Sequence, residues 1–124
     1  MKKILIVEDD RVLRNEVKTL LEGSGYETAV LEQFDRVPEE AEELKPDLIL
    51  LDIILPGANG QAILRELREK SDVPVIMLTS RDGDVEEILS RSAGADDYIT
   101  KPYNPTLLLL RIESVLRRAS GQPK

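Results

Sequence analysis

The sequence predicts a single α/β domain built on an open, doubly wound parallel β-sheet. Short apolar runs of strand length alternate with longer segments of helical period along the chain. The runs at residues 48–51 and 75–78 are apolar at every position, which is typical of strands that helices cover on both faces. With 124 residues, 41% of them hydrophobic, the chain is long enough to bury one ordinary core.

Five apolar runs are expected to form strands, and they occupy residues 4–7, 26–31, 48–51, 75–78 and 98–99. Asp10 precedes the first helical segment, whose apolar positions 13, 17, 20 and 21 share one face. Its carboxylate is predicted to cap that helix, because short acidic side chains accept hydrogen bonds from the first free amides of a helix. Asp35 is predicted to cap the second helix in the same way, with Pro38 tolerated in the first turn.

The remaining helices follow the third, fourth and fifth strands. The third is expected to start after Asn59 and Gly60, and the fourth carries apolar residues at positions 85, 88 and 89. The last helix has an apolar face formed by Leu108, Leu109, Ile112, Val115 and Leu116. Five β-α units joined by right-handed crossovers result.

Composition excludes several classes of function. The chain carries 17 basic and 24 acidic side chains, a net charge of −7, so it would repel nucleic acids and anionic membranes. It contains no Cys and no His, which excludes disulfides, Cys nucleophiles, His bases and all His or Cys metal sites. Its first ten residues are too polar for a signal peptide or a membrane span. We therefore expect a soluble, cytoplasmic protein with no membrane partner.

Charged side chains follow several of the predicted strands. Glu8 and Asp9 come after the first strand, Asp52 after the third, and Lys101 after the fifth. The carboxyl ends of parallel strands meet at one edge of the sheet, and clustered carboxylates repel unless a cation compensates them. Mg²⁺ prefers such oxygen ligands. The alternative is that the acids only cap a helix and open a turn, but turn chemistry does not predict the lysine.

Two other phosphate chemistries are excluded. Sites that bind phosphate through the backbone amides of a Gly-rich or hydroxyl-rich first loop are not expected, because three consecutive acids at residues 8–10 would repel the phosphate. Phosphatases with an aspartyl nucleophile place a second Asp two residues later as general acid, whereas this chain has Ile54 there. Repeated hydrolysis by that route is not expected.

Four segments together resemble the receiver domain of bacterial two-component response regulators across residues 2–118. They are ILIVEDD, PDLILLDIILPGANG, PVIMLTSR and GADDYITKPYNP, and their order and spacing agree with that family. The resemblance implies a flavodoxin-like, CheY-like fold with strand order 2-1-3-4-5 and five helices; CheY is itself a standard example of that strand order.

The resemblance also implies a chemistry. It makes Asp52 the phosphoacceptor, with Glu8, Asp9, Asp52 and the backbone carbonyl of Ile54 as ligands of Mg²⁺ or Mn²⁺. Lys101 would neutralise the phosphoryl oxygens. The donor would be a sensor histidine kinase or a small acyl phosphate, since the chain has no His of its own. The domain would catalyse its own phosphorylation and a slow autodephosphorylation.

Thr79 and Tyr98 would form the switch by the same resemblance, with the Thr79 hydroxyl binding the phosphoryl group and Tyr98 following inward. The alternatives are a turn hydroxyl for Thr79 and a core aromatic at the sheet edge for Tyr98. A cis peptide is implied between Lys101 and Pro102, although these two residues could simply form a turn. Ile54 and Arg81 are expected to control water access and phosphoryl lifetime.

The last helix carries a second stripe, formed by Leu107, Arg111, Ser114 and Arg118, which lies outside its apolar face. Asp96 and Asp97 could meet its arginines in a second subunit, or the stripe could be a solvated face. Resemblance to the OmpR/PhoB-like class favours a dimer through the fourth helix, fifth strand and fifth helix, with Glu87 and Arg91 included. This chain departs from that class at two positions, since Glu87 and Leu107 stand where the class often has a basic and an acidic residue that pair across the dimer.

That class usually continues into a winged-helix DNA-binding domain. Residues 1–118 are therefore interpreted as the receiver domain and residues 119–124 as the start of a linker or a tail. DNA would be contacted only through a domain missing from this chain. Two alternatives remain open: a stand-alone receiver that binds another protein when phosphorylated, and a receiver fold that signals without phosphorylation.

Overall fold

The computed structural model describes residues 1–79, 94–101 and 103–119, with the side chain of Thr79 left out. Its main sheet contains five parallel strands: β1 (Lys3–Val7), β2 (Glu27–Val30), β3 (Leu48–Asp52), β6 (Val75–Thr79) and β7 (Asp97–Thr100). Their order is β2-β1-β3-β6-β7. Since β6 and β7 are the fourth and fifth strands of this sheet, the order is the predicted 2-1-3-4-5. A small antiparallel pair, β4 (Ile54–Leu55) and β5 (Ala58–Asn59), lies between β3 and the next helix. The predicted fold class is confirmed.

Four helices are described: α1 (Arg11–Gly23), α2 (Val37–Leu44), α3 (Gly60–Lys70) and α4 (Pro105–Ala119). The last predicted helix is α4 in this numbering. The predicted fourth helix lies outside the described residues, and so do Arg81, Glu87 and Arg91. Within the described ranges, no helix combines the length and apolar character needed to cross a bilayer.

Alternate residues of the central strands pack into two separate cores. Leu5 and Val7 of β1 and Ile49 and Leu51 of β3 face α2 and α3. The intervening residues of both strands face α1 and α4 on the other side of the sheet. All of these side chains are fully buried, as the continuous apolar runs predict.

The helix cap predicted at Asp10 is confirmed. The Asp10 carboxylate accepts the amides of Val12 and Leu13, so it caps α1. Asn59, which was not predicted as a cap, caps α3 in the same way, and this helix begins at Gly60 rather than after it.

The prediction that Asp35 caps α2 is wrong, because the cap position is Arg36 and no side chain caps the helix. The helix begins at Val37, which is fully buried, and Pro38 follows in the first turn. Burial of this apolar start fixes where α2 begins, and Pro38, with its fixed φ and no amide, suits the position.

The predicted apolar face of α4 is confirmed. Leu108, Ile112 and Val115 are buried, while Leu109 and Leu116 are partly buried against the same core. Asn104 caps the helix, since its side chain accepts the amide of Leu107. Leu107 itself is 43% exposed, so it lies outside the core as expected.

Candidate functional site

The sheet brings three acidic side chains together at the carboxyl ends of β1 and β3. One carboxylate oxygen from each of Glu8, Asp9 and Asp52 lies within 4.8 Å of the other two. Glu8 is 1% exposed and Asp52 is 4% exposed, whereas Asp9 is exposed to solvent. We call these three residues the acidic cluster. Two of its carboxylates are therefore almost fully removed from water, which is costly unless a cation compensates them.

Lys101 supplies one such cation. It follows β7 directly, and its Nζ lies 3.0 Å from Oδ2 of Asp52 and 2.6 Å from Oε1 of Glu8. The Asp52 contact is a hydrogen bond, and the Glu8 contact is a short ion pair. Burial of the ammonium lowers the pKa of Lys101, but hydrogen bonding and charge from Glu8 and Asp52 outweigh it, so the pKa is raised overall. Lys101 is thus held in its charged form.

Backbone amides orient the two buried carboxylates. The amide of Asp10 donates to Oε2 of Glu8 at 3.0 Å, and the amide of Ile54 donates to Oδ1 of Asp52 at 3.2 Å. Because the Asp10 side chain is used to cap α1, only two of the three consecutive acids belong to the cluster. The Ile54 side chain is 63% exposed beside it, and the metal role of its carbonyl remains a prediction.

Gly60 supports the end of β3 in a way that the sequence did not predict. Its amide donates to the carbonyl of Ile53 at 2.8 Å. A Cβ atom at this position would collide with the carbonyl oxygen of Asp52 and would lie 2.7 Å from Cα of Ile53. Only glycine therefore lets α3 start this close to the end of β3. A glycine directly before the predicted start of this helix was the available signal.

The predicted switch residues occupy the two neighbouring strands. Thr79 ends β6 and pairs with Thr100 of β7, whereas its side chain lies outside the described structure. Tyr98 pairs with Met77 and is partly buried against the core on the α2 and α3 side. Pro102 is also outside the described residues. The switch therefore stays a prediction.

The predicted interface acids form ion pairs inside this chain. Asp97 lies 3.0 Å from Arg111 of α4, and Asp96 lies 2.9 Å from Arg68 of α3. Asp96 also accepts the amide of Val75 at 2.8 Å. Arg118 is exposed. Pairing of these acids with a second subunit stays a prediction, and it would have to compete with the contacts within the chain.

The acidic cluster can hold a divalent cation. Three carboxylates and one ammonium leave a formal charge of −2, and oxygen atoms are the ligands that Mg²⁺ prefers. The residues present therefore fit a hard metal ion. The Lys101 ammonium provides a further positive charge, beside that of the metal, for an anion bound at the site.

Comparisons with known proteins point to one family. A family model described as the response regulator receiver domain matches residues 4–113. The DNA-binding response regulator MtrA of Mycobacterium tuberculosis is 42% identical over 122 residues, which cover 98% of this chain and 54% of MtrA. The sensory transduction protein RegX3 of Mycolicibacterium smegmatis is 41% identical, with 97% of this chain and 53% of RegX3 covered. This chain thus spans about half the length of these relatives, whose names agree with the predicted class.

A solved structure shares both the fold and much of the sequence. It is the BeF3-activated N-terminal receiver domain of Klebsiella pneumoniae RstA, which is 40% identical. The match has a TM-score of 0.89 and covers 94% of this chain and 99% of the other.

Proposed function

Because this chain belongs to the response regulator receiver domain family, we propose that it accepts a phosphoryl group on Asp52 in two-component signalling. The observation that carries the proposal is the position of Asp52, buried beside two other carboxylates and 3.0 Å from the Lys101 ammonium. The donor is a sensor histidine kinase or a small acyl phosphate.

Glu8, Asp9 and Asp52 would hold Mg²⁺ or Mn²⁺, together with the Ile54 carbonyl. The ion would neutralise negative charge on the transferring phosphoryl group. This role agrees with the acidic cluster, whose charge exceeds what Lys101 alone can balance.

The chain's own residues perform the transfer by positioning and charge. A carboxylate oxygen of Asp52 forms a bond to phosphorus while the bond between phosphorus and the donor's leaving group breaks. The Ile54 amide fixes Oδ1 of Asp52, so the carboxylate is already oriented before the donor arrives. Lys101 offers an ammonium group to the phosphoryl oxygens. Slow attack by water on the resulting acyl phosphate returns the carboxylate.

Thr79 and Tyr98 would transmit the change to the surface formed by the predicted fourth helix, β7 and α4. The surface would then pair with a second copy of the chain and control transcription through a DNA-binding domain outside this sequence. Relatives that carry DNA-binding names and are about twice as long support this output. Residues 1–118 would be the receiver and residues 119–124 the start of a linker or a C-terminal tail.

Intact mass spectrometry tests the proposal directly. The purified chain is incubated with acetyl phosphate and MgCl₂, and the mass of one added phosphoryl group is expected for the wild type. Asp52→Ala is expected to show none. Asp35→Ala, which removes an exposed carboxylate, is expected to behave as the wild type. Absence of phosphoryl gain in the wild type, or equal gain in Asp52→Ala, would contradict the proposal.

A further inference from the structure

A pocket of about 320 Å³ lies between the last turns of α2 and α3. These turns lead into the amino ends of β3 and β6, so the pocket is at the opposite edge of the sheet from the acidic cluster. Its volume is at the lower end of the range of small-molecule sites. The proposed phosphoryl transfer makes no use of this pocket.

The inner wall of the pocket is apolar. Ala41 of α2 and Leu67 of α3 belong to the core between these helices and the sheet, and Val73 packs against the same core. Pro38 and Pro46 complete the apolar part of the lining. A ligand with an apolar group gains free energy here, because contact with the wall removes apolar surface from water.

Two lysines make the lining positive on a chain whose net charge is −7. Lys45 follows the end of α2, Lys70 is the last residue of α3, and Glu42 is the only acid among the described residues of the lining. Two positive charges and one negative charge leave +1. Lys70 lies 4.0 Å from Glu39, but both side chains are 47% exposed. Such a pair is weak, so the ammonium is available to an anion.

The backbone conformation of Lys45 is unfavourable for a lysine. Its φ is 50° and its ψ is 58°, and in the described part of the chain it is the only residue other than glycine with a positive φ. Glycine commonly ends a helix in this conformation, whereas the Cβ of any other residue makes it less favourable. The chain therefore has a charged side chain beside the pocket at a position where glycine would suit the backbone better.

We propose that this pocket binds a small carboxylate that carries one apolar group, such as an aromatic acid. Lys45 and Lys70 pair with the carboxylate, and the apolar wall contacts the rest of the ligand. The hydroxyl oxygen of Ser71 accepts the amide of Val73 at 3.0 Å, which leaves the hydroxyl proton for the same carboxylate. A neutral ligand loses the ion pairs and a small inorganic anion loses the apolar contact, so both bind more weakly.

An NMR titration of the isotope-labelled chain with naphthoate tests the site. The measurement is made in EDTA without a phosphoryl donor, so its outcome does not depend on the proposed phosphoacceptor. We expect shifts of the amides of Ala41, Leu67 and Ser71, with a Kd of about 1 mM for a ligand of this size. Naphthamide has the same rings without the charge and should bind about threefold more weakly. Acetate has the charge without the rings and should bind at least about tenfold more weakly.

Lysine variants test whether the charges bind the ligand. Lys45→Gln and Lys70→Gln should each raise the Kd for naphthoate about threefold, and the double variant about tenfold. Lys18→Gln is the matched control, because Lys18 forms a similarly exposed ion pair on α1 and does not line the pocket. Its Kd should equal that of the wild type.

Lys45→Gly distinguishes binding from a merely structural role. Glycine suits the positive φ, so the Tm should rise by about 2–4 °C, whereas the Kd for naphthoate should rise about threefold. An unchanged Kd in this variant, or equal Kd values in the Lys18 and Lys70 variants, would overturn the proposal. So would the absence of shifts at these amides at ten times the expected Kd. Shifts of the same amides when the protein alone is diluted would assign the pocket to a second copy of the chain and would also overturn it.

Discussion

The ammonium group of Lys101 lies 3.0 Å from the carboxylate of Asp52, although 49 residues separate them in the chain. Asp52 ends β3 and Lys101 follows β7, so the sheet order places them on either side of the end of β6. The same ammonium group contacts Glu8. One lysine therefore balances two buried carboxylates, and its removal should affect stability as well as phosphoryl transfer.

Lys101→Met should destabilise the metal-free protein by about 3 kcal/mol, because it leaves two buried carboxylates without a cation. Urea unfolding in EDTA measures the change. Lys18→Met, which breaks an exposed pair with Glu22, is the control and should cost less than about 1 kcal/mol. The double variant Lys101→Met with Asp52→Asn should recover part of the loss. Equal losses for the two lysine variants would contradict the buried-pair interpretation.

Stability should fall at alkaline pH as buried groups change charge. The pKa of Lys101 is raised because contacts with Glu8 and Asp52 outweigh the effect of burial. The pKa values of Tyr26 and Tyr103 are raised mainly by burial, with added effects of Glu113 and Glu16 respectively. Groups whose pKa is higher in the folded state stabilise it fully below their unfolded pKa, about 10 here, and lose this contribution as pH rises through the folded value.

Urea unfolding at a series of pH values above neutrality measures this fall. The difference in stability between wild type and Lys101→Met should stay constant up to about pH 10 and shrink above it. Tyr26→Phe and Tyr103→Phe should each make the fall less steep. A difference that shrinks below pH 9 would contradict the direction of the Lys101 shift.

Gly60→Ala should displace the end of β3, because the new methyl group would collide with the backbone of Asp52 and Ile53. We expect a loss of about 2–4 kcal/mol in unfolding free energy and slower phosphorylation at saturating Mg²⁺. Gly23→Ala is the matched control, since nothing lies within 4 Å of the added atom and Gly23 is in a helix. It should be neutral or stabilise by up to about 1 kcal/mol. Similar effects in both variants would contradict the close-contact argument.

Substitution of the two acids predicted as helix caps, Asp10 and Asp35, should change the stability of the protein by different amounts. Asp10→Ala removes the acceptor for two amides of α1 and should cost about 1 kcal/mol, while Asp10→Asn should cost much less. Asp35→Ala should change stability by less than about 0.5 kcal/mol, because Asp35 does not cap α2. Thermal unfolding of the three variants checks this, and a large loss for Asp35→Ala would contradict the observed start of α2.

Dimer formation should depend on Leu107 once the phosphoryl group is mimicked. Sizing chromatography with and without beryllofluoride is expected to show dimers only with the mimic. Leu107→Ala, at a position 43% exposed on α4, should weaken the dimer about fivefold. Val12→Ala, 69% exposed on α1, should leave it unchanged. Equal dimerisation in the Leu107 variant and the wild type would exclude apolar pairing at this position.

The convergence of Glu8, Asp9, Asp52 and Lys101 could be predicted because it follows from strand direction together with strand order. Carboxyl ends of parallel strands share one edge, so residues that follow the strands in sequence lie along that edge. The start of α2 could not be predicted from Asp35, since burial of Val37 decided it. Local capping preferences are weaker than the packing of a buried helix end.

Other parts of the site depend on contacts that form only in the folded structure and leave no local pattern in the sequence. The β4-β5 pair at residues 54–59 was not predicted, because strands of two residues have no periodicity to detect. The contact of Gly60 with Asp52 and the pairing of Asp96 with Arg68 arise only when α3 packs on the sheet. The Asp96–Arg68 pair links residues that are 28 positions apart in the chain, and a single sequence gives no signal for it.

The side chains of β3 alternate between the two cores, and this has a consequence for how the chain finds its register. Both faces of β3 are apolar. A shift of this strand by two residues along β1 would therefore keep apolar side chains on both faces of the sheet. Such a slip would draw the Asp52 carboxylate away from Lys101 or into the hydrocarbon interior, where an unpaired charge is very unfavourable. Asp52, which is proposed to accept the phosphoryl group, thus also helps to set the strand register. Its carboxylate disfavours misaligned sheets that apolar packing alone would allow.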